Sequence, residues 1–143
     1  NPFKTNINYI RAHLRPQDFF GARRIRGNKG RFQISKHTEI DLVAPIGTPL
    51  YPIEAGVVMR AEKAKGKFWR NGIFVKYRTE SGLEVMYLHL SKENVTPNQR
   101  ITTATMLGRV GITGNASADN THVHIQIKKN SKVVDPLPFI LNN

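Results

Sequence analysis

The sequence predicts one mainly β domain with antiparallel sheets and little helix, and three observations support this prediction. Segments in which apolar and polar residues alternate recur along the chain, as expected for strands with one buried face. Gly, Pro and Asn separate these segments at short intervals. With 143 residues, of which 39% are hydrophobic, the chain is long enough for one compact core and too short for two full-sized domains.

The N-terminal quarter of the chain is strongly basic. Residues 1–36 carry nine Lys and Arg and one acidic residue, Asp18, in a chain whose formal net charge is +12. Apolar residues with helical spacing predict one short helix over residues 7–14, which Pro16 ends. A basic surface attracts polyanions, but the charge alone does not choose among nucleic acid, anionic lipid and an anionic cell envelope.

The segments that follow are predicted as strands. Four of them are a strand around residues 56–59 within 49–61, and strands over residues 72–77, 83–90 and 108–110. The turn sequence Thr79-Glu80-Ser81-Gly82 separates the second from the third, so we expect these two to pair as a hairpin. Strands joined by hairpins without intervening helices indicate an antiparallel sheet.

Two predicted strands show their faces clearly. Residues 121–128 alternate between apolar and polar side chains, so one face is buried and the other, which carries His122 and His124, is polar. In residues 83–90 the same alternation assigns Met86, Leu88 and Leu90 to one face and Val85, Tyr87 and His89 to the other.

Composition restricts the chemistry and the location. The chain has no Cys, so any metal is held by His and carboxylate side chains. No stretch approaches the ~18 consecutive apolar residues of a membrane-spanning helix, and the first residues lack the apolar core of a signal peptide. Because the chain begins at Asn1, we expect a processed product or part of a longer chain, and we infer the location from the chemistry.

Four of the five histidines form a pattern suited to metal chemistry. His37 and Asp41 are four residues apart, so in an extended segment they share a face and can converge on one point. His122 and His124 project from one strand face, roughly 6 to 7 Å apart. Only one of this second pair needs to touch a metal, and the other can stand over a bound substrate.

Two imidazoles and one carboxylate with an open fourth position are the usual ligands of a hydrolytic zinc ion. Such an ion supplies an acidified water molecule and a Lewis acid for a scissile carbonyl. Proton transfer must come from the protein, and His89 and the non-ligating member of the His122 and His124 pair are the candidates. No His-Glu-x-x-His segment occurs, so the base would be an imidazole.

At these residues the sequence resembles the LytM/lysostaphin-type endopeptidases, the M23 family. The matching segments are, in order, His37-Thr38-Glu39-Ile40-Asp41, Ala55-Gly56-Val57-Val58, Tyr87-Leu88-His89-Leu90, and Gly111-Ile112-Thr113-Gly114 followed by His122-Val123-His124. The resemblance runs from about Phe20 to Ile140. It implies a peptidase domain over residues 20–143, preceded by a basic segment, residues 1–19.

The resemblance also implies a fold, a ligand set and an activity. The expected fold is a LytM-like β-sandwich with an open groove. Zinc would be held by His37, Asp41 and His124, with His122 as general base and His89 orienting water or stabilising the developing oxyanion. The expected substrates are stem peptides or bridges of peptidoglycan, with anionic cell-envelope polymers as further partners, and the expected location is extracytoplasmic (secreted or periplasmic) or phage-delivered.

Two departures and two alternatives accompany this interpretation. Glu39 stands where the family usually has Gly, and Ile125-Gln126 replaces the common Phe-Glu, but neither change removes a ligand. A LytM-type domain that only binds or activates other wall hydrolases would look degenerate at the metal site, which is intact here.

A nucleic-acid-binding β domain would place aromatic residues among Lys and Arg on a sheet face. Residues 65–70 look more like a loop, so no nucleic acid is expected.

Overall fold

The computed structural model of the chain describes residues 23–28, 31–36, 40–116 and 121–141, which form two antiparallel sheets. Strands β1 (Arg23–Asn28) and β2 (Arg31–Lys36) pair with each other. The second sheet contains β3 (Ile40–Val43), β4 (Pro49–Leu50), β5 (Gly56–Lys63), β6 (Ile73–Thr79), β7 (Glu84–Glu93), β8 (Arg100–Ile101), β9 (Gly108–Val110), β10 (His122–Lys129) and β11 (Lys132–Val134). This architecture confirms the predicted mainly β, antiparallel class.

Helix is scarce in the described residues. A 3₁₀ helix, Gly66–Asn71, connects β5 to β6, and a short α-helix, α1 (Leu137–Leu141), follows β11. No helix in this part of the chain is long and apolar enough to cross a membrane. The predicted helix over residues 7–14 and the basic segment 1–19 lie outside the described residues, so the boundary at residue 20 stays a prediction.

The large sheet is organised around β7 and β10. Its strand order is β11-β10-β7-β6-β5-β8, while β3 also pairs with β10, and β9 pairs with β4 and β7. The predicted hairpin of β6 and β7 is confirmed, with Tyr77 opposite Val85. Its turn is closed by the Thr79 amide donating to the Leu83 carbonyl, and Gly82 supplies a φ of 91°.

Alternation along the central strands separates a core face from a groove face. Val123, Ile125 and Ile127 of β10 are fully buried in the main core, together with Tyr87 and Val85 of β7. The residues between them point to the opposite face, where Leu88 is the cross-strand partner of His124. A smaller apolar cluster covers part of that face and contains Ala64, Phe74, Leu88 and Met86. We call this side of the sheet the groove face.

The faces predicted for the strand over residues 83–90, which lies largely within β7, are wrong at His89 and Leu90. Leu90 was expected with Met86 and Leu88, but it is fully buried in the main core. His89 was expected beside Tyr87, but it has a φ of 64°, a left-handed conformation that interrupts the alternation. The pairing of β6 with β7 shifts register in the same region, between Ile73 and Val75, as at a β-bulge.

Candidate active site

Strand β10 places two imidazoles on the groove face. His122 and His124 alternate with the fully buried Val123, so the buried side chain fixes the direction of both rings. Their ring centroids lie 6.1 Å apart. The prediction that the two imidazoles share one strand face is therefore confirmed by the geometry.

Asp41 reaches the same point from the neighbouring strand. It is the cross-strand partner of His124 in the pairing of β3 with β10, and it is only 8% exposed. Its Oδ1 lies 2.5 Å from Nδ1 of His124 and 3.6 Å from Nε2 of His122. A buried carboxylate thus contacts both imidazoles. His37, the other predicted member of this group, lies outside the described residues, as does Glu39.

The bulge in β7 brings a third imidazole to the cluster. The ring centroid of His89 lies 6.0 Å from that of His122 and 5.7 Å from that of His124. In a regular strand, His89 would point into the core with Tyr87. The left-handed backbone at His89 instead turns its ring toward the groove face, which the sequence pattern did not predict.

A hydrogen bond fixes the tautomer of His89. Its Nδ1 lies 2.9 Å from the backbone carbonyl oxygen of Thr113. A carbonyl only accepts, so Nδ1 carries the proton and Nε2 is an acceptor when the ring is neutral. Burial lowers the pKa of His89 below its usual value, the bond to Thr113 opposes this effect, and nearby His122 lowers the pKa further. His89 therefore presents an unprotonated Nε2 at neutral pH.

Thr113 positions His89 through three bonds. Its hydroxyl donates to the Leu90 carbonyl at 2.6 Å and accepts from the Ile73 amide at 2.9 Å, while its own carbonyl accepts from His89. A Cβ at Gly72 would approach Thr113 to 2.4 Å, so glycine is required for this close packing. In the sequence, the Gly111–Gly114 turn is recognisable only as a family feature, and nothing in its pattern predicts the positioning role of Thr113.

The described donors fit a zinc ion. One ligand atom from each of His89, His122 and His124 lies within 4.8 Å of the other two, and Asp41 contacts two of these residues. Imidazole nitrogen and carboxylate oxygen are the donors that zinc binds in proteins that lack thiolates. Two overlapping ligand sets are therefore available, one of three histidines and one that contains Asp41 and His124.

The chain belongs to peptidase family M23, whose sequence model matches residues 35–136. This range contains every residue of the site described above. The resemblance that the histidine segments suggested is thereby confirmed.

Individual relatives agree with this assignment. The chain is 31% identical over 135 residues to the peptidoglycan DD-endopeptidase ShyC of Vibrio cholerae serotype O1, a match that covers 87% of this chain and 30% of ShyC. A solved zinc-containing peptidase from Vibrio cholerae has a TM-score of 0.69 and 25% identity, covering 87% of this chain and 36% of that chain. The catalytic domain of lysostaphin from Staphylococcus simulans has a TM-score of 0.72 and 24% identity, covering 96% and 98% respectively, and shares the fold.

Proposed function

We propose that this chain is the catalytic domain of a zinc-dependent endopeptidase that hydrolyses peptide crosslinks or bridges in peptidoglycan. One observation carries the proposal: His89 and His122 face the contact between Asp41 and His124, so proton-transfer groups stand beside metal ligands. The chain spans about a third of the length of the first relatives it matches, ShyC and the Vibrio peptidase. The proposal therefore concerns the activity of this domain.

We assign the metal to His37, Asp41 and His124. The short distance between Asp41 Oδ1 and His124 Nδ1 supports the two described members of this set. A zinc ion held there would act as a Lewis acid, polarising the scissile carbonyl and increasing the acidity of a water molecule. The set of three histidines is the alternative, and the metal content of variants separates the two.

The remaining imidazoles divide the proton transfers. His122 takes a proton from the attacking water and returns it to the leaving amine, which must be protonated to depart. His89, held with its Nδ1 proton on Thr113, accepts a hydrogen bond through Nε2 and so orients that water. Of the two roles expected for His89, its tautomer favours the orientation of water, since an unprotonated Nε2 cannot donate to an oxyanion.

A non-catalytic domain that binds or activates other wall hydrolases is the second candidate. Such a domain has no need for a left-handed His89 or for the Thr113 bonds that hold it, and backbone strain of this kind is typical of functional sites. The catalytic proposal accounts for both features. We further propose an extracytoplasmic location, because peptidoglycan lies outside the cytoplasm.

Zinc content and peptidoglycan hydrolysis, measured on the same preparations, test these assignments. We expect about one zinc ion per wild-type chain. His37→Ala and His124→Ala should lose both zinc and hydrolysis, whereas His89→Ala and His122→Ala should keep zinc and lose turnover. Gln126→Ala, on the same face of β10, is the matched control and should keep zinc.

Three results would contradict the proposals in different ways. Zinc loss in His89→Ala with retention in His37→Ala would favour the set of three histidines. Near-normal hydrolysis by His122→Ala would place the base elsewhere, and a zinc-loaded wild-type chain that cleaves no wall peptide would favour the non-catalytic alternative.

A further inference from the structure

A cleft of about 790 Å³ lies on the groove face, the same side of the sheet as His122 and His124. Strands β5, β6, β7 and β10 contribute Arg60, Phe74, Lys76, Met86 and Lys128 to its lining. Met86 and Lys128 alternate with core residues in the same phase as Leu88 and His124, so cleft and site share one surface. A peptide bound across the site would extend into the cleft.

The cleft combines an apolar floor with an excess of positive charge. Phe74 and Met86 belong to the apolar cluster of the groove face. The basic residues of the lining are Arg60, Lys63, Lys65, Lys76 and Lys128, against the acidic residues Glu62 and Glu93. A cleft of this composition favours an anionic group over a neutral one.

Lys76 and Lys128 differ from the other cations of the lining because they are half-buried and, within the described part of the chain, form no salt bridge. By contrast, Arg60 forms a salt bridge with Glu62, and its guanidinium lies 5.3 Å from the centre of the Phe74 ring.

The acidic residue nearest to Lys128 in the sheet is already engaged. Glu84, the cross-strand partner of Lys128, forms its salt bridge with Arg78 at 3.4 Å. Two ammonium groups therefore face the cleft over a partly apolar surface, where the attraction of a carboxylate is stronger than in bulk water.

The spacing relates these ammonium groups to the reacting bond. Lys128 is four residues from His124 along β10, which corresponds to about 13 Å at ~3.3 Å per residue. Lys76 pairs with Met86 of β7, and Met86 pairs with Gln126 of β10. Lys76 is therefore two strands, or about 10 Å, from Gln126 across the sheet. An extended peptide covers such distances with three to four residues, at about 3.3 to 3.6 Å each.

We propose that the cleft is a subsite for a free carboxylate of the peptide substrate, held by Lys76 and Lys128 about three to four residues from the bond that is cut. The inference rests on the proposed function and narrows its substrate class. It selects stem peptides that carry free carboxylates over glycine bridges, whose residues have no ionisable side chains.

Chemical amidation of the substrate isolates this effect. Crosslinked stem peptides are released from a wall with diamino-acid crosslinks, and part of the preparation is amidated so that its carboxylates become neutral amides. Affinity is measured by calorimetry on the zinc-loaded full chain carrying His122→Ala, which prevents turnover. The fluorescence of Trp69, the chain's single Trp and 53% exposed, is the second readout.

We expect amidation to weaken binding by about tenfold, as for the loss of one charge-assisted contact. A double variant, Lys76→Gln with Lys128→Gln, should bind the acidic peptide as weakly as the chain with intact lysines binds the amidated peptide. Its affinity for the amidated peptide should be unchanged. Lys132→Gln, an exposed lysine on β11 outside the cleft, is the matched control and should change neither affinity.

The proposal would be overturned if the chain with intact lysines bound the acidic and the amidated peptides with equal affinity. It would also be overturned if the lysine variant lost the same affinity for both peptides. The first comparison uses no lysine variant, so it decides even if that variant folds poorly. Hydrolysis of both peptides by the chain with an intact His122 is measured in parallel. Cleavage without preference would refute the subsite alone, whereas preferential binding without cleavage would refute the proposed function alone.

Discussion

The left-handed backbone at His89 is the feature on which the geometry of the site depends. For an L-residue other than Gly, this conformation costs roughly 1 to 2 kcal/mol. The residue stays there because its ring bonds to Thr113 and because Leu90, the next residue, is fully buried in the core. These contacts offset the backbone strain. The left-handed conformation then turns the imidazole of His89 toward the groove face, whereas a regular strand would bury it in the core.

Glycine substitution measures this strain. In metal-free protein, we expect His89→Gly to be more stable than His89→Ala by about 0.5 to 1 kcal/mol, because Gly adopts a positive φ without steric cost. The control pair is His122→Gly and His122→Ala, in extended β10, where the order should reverse because Gly weakens a strand. Urea unfolding gives both differences, and a His89→Ala variant at least as stable as His89→Gly would show that the backbone at His89 is unstrained.

Removal of the Thr113 hydroxyl tests the positioning of His89. In Thr113→Val, the Ile73 amide and the Leu90 carbonyl lose a partner, and we expect unfolding to become easier by about 1 to 3 kcal/mol. Zinc content and KM should stay constant while kcat falls about tenfold, since only the orientation of His89 changes. Thr105→Val removes an exposed turn bond and serves as the control. An unchanged kcat would separate Thr113 from catalysis.

At the scale of single elements, hydrophobic alternation predicted β10 and the hairpin of β6 and β7. In a strand, alternate side chains face the core. The apolar residues Val123, Ile125 and Ile127 therefore predicted that His122 and His124 share the opposite face. Alternation could not predict the bulge at His89, because its cause is a set of contacts with residues distant in sequence, Thr113 and Ile73.

Other features also depend on tertiary structure. The contact of Asp41 with His124 requires the pairing of β3 with β10, whose residues are about eighty positions apart in the sequence. The short strands β8 and β11 were not predicted individually, nor were β1 and β2, whose residues were noted chiefly for their charge. Strands β8 and β11 contain only two and three residues, which show too little periodicity on their own to identify every strand of this length.

A buried chain of hydrogen bonds joins β6, β7 and the segment after β4. The Ile53 amide donates to the Tyr77 hydroxyl, the hydroxyls of Tyr77 and Tyr87 lie 2.9 Å apart, and the Tyr87 hydroxyl donates to the Tyr51 carbonyl. With Tyr87 donating to Tyr51, the proton between the two hydroxyls comes from Tyr77. The phenol protons of Tyr77 and Tyr87 thus both have an acceptor, and both side chains are fully buried.

Because Tyr77 and Tyr87 are buried, we expect the folded state to become less stable at alkaline pH. Burial raises the pKa of both Tyr77 and Tyr87 well above the usual 10.0. Above pH ~10 the unfolded chain releases these protons while the folded chain keeps them, so the free energy of unfolding falls as the pH rises. Below pH ~10 this contribution is constant. A variant with Phe at both positions should show a shallower decline in unfolding experiments between pH ~9 and ~11, and equal slopes would contradict the assignment.

At the scale of the whole molecule, positive charge occurs in two settings, the cleft and the N-terminal quarter of the chain. Two half-buried lysines, Lys76 and Lys128, lie in the cleft, whereas residues 1–36 supply most of the formal net charge of +12. The first arrangement is local and favours one substrate group. The second is the net charge of a long segment, and we propose that it attracts anionic polymers without selecting one chemical group.

Such attraction predicts that wall binding depends on salt. We expect the fraction of the chain bound to whole walls to fall several-fold between about 0.05 and 0.5 M NaCl, because the Debye length shortens over this range. Walls stripped of their anionic polymers are the control and should bind less of the chain at low salt. Binding that is independent of salt would show that the basic N-terminal quarter does not recruit the protein to the wall.

Mass spectrometry of wall digests tests the central claim most directly. Walls of known crosslink type are incubated with metal-free chain, with zinc-restored chain and with zinc-loaded His122→Ala. If the chain is a zinc-dependent peptidoglycan endopeptidase, new peptide termini will appear only with the zinc-restored wild-type chain, all at one type of peptide bond. No new peptide termini with the zinc-loaded wild-type chain, or equal release by the metal-free chain, would contradict it.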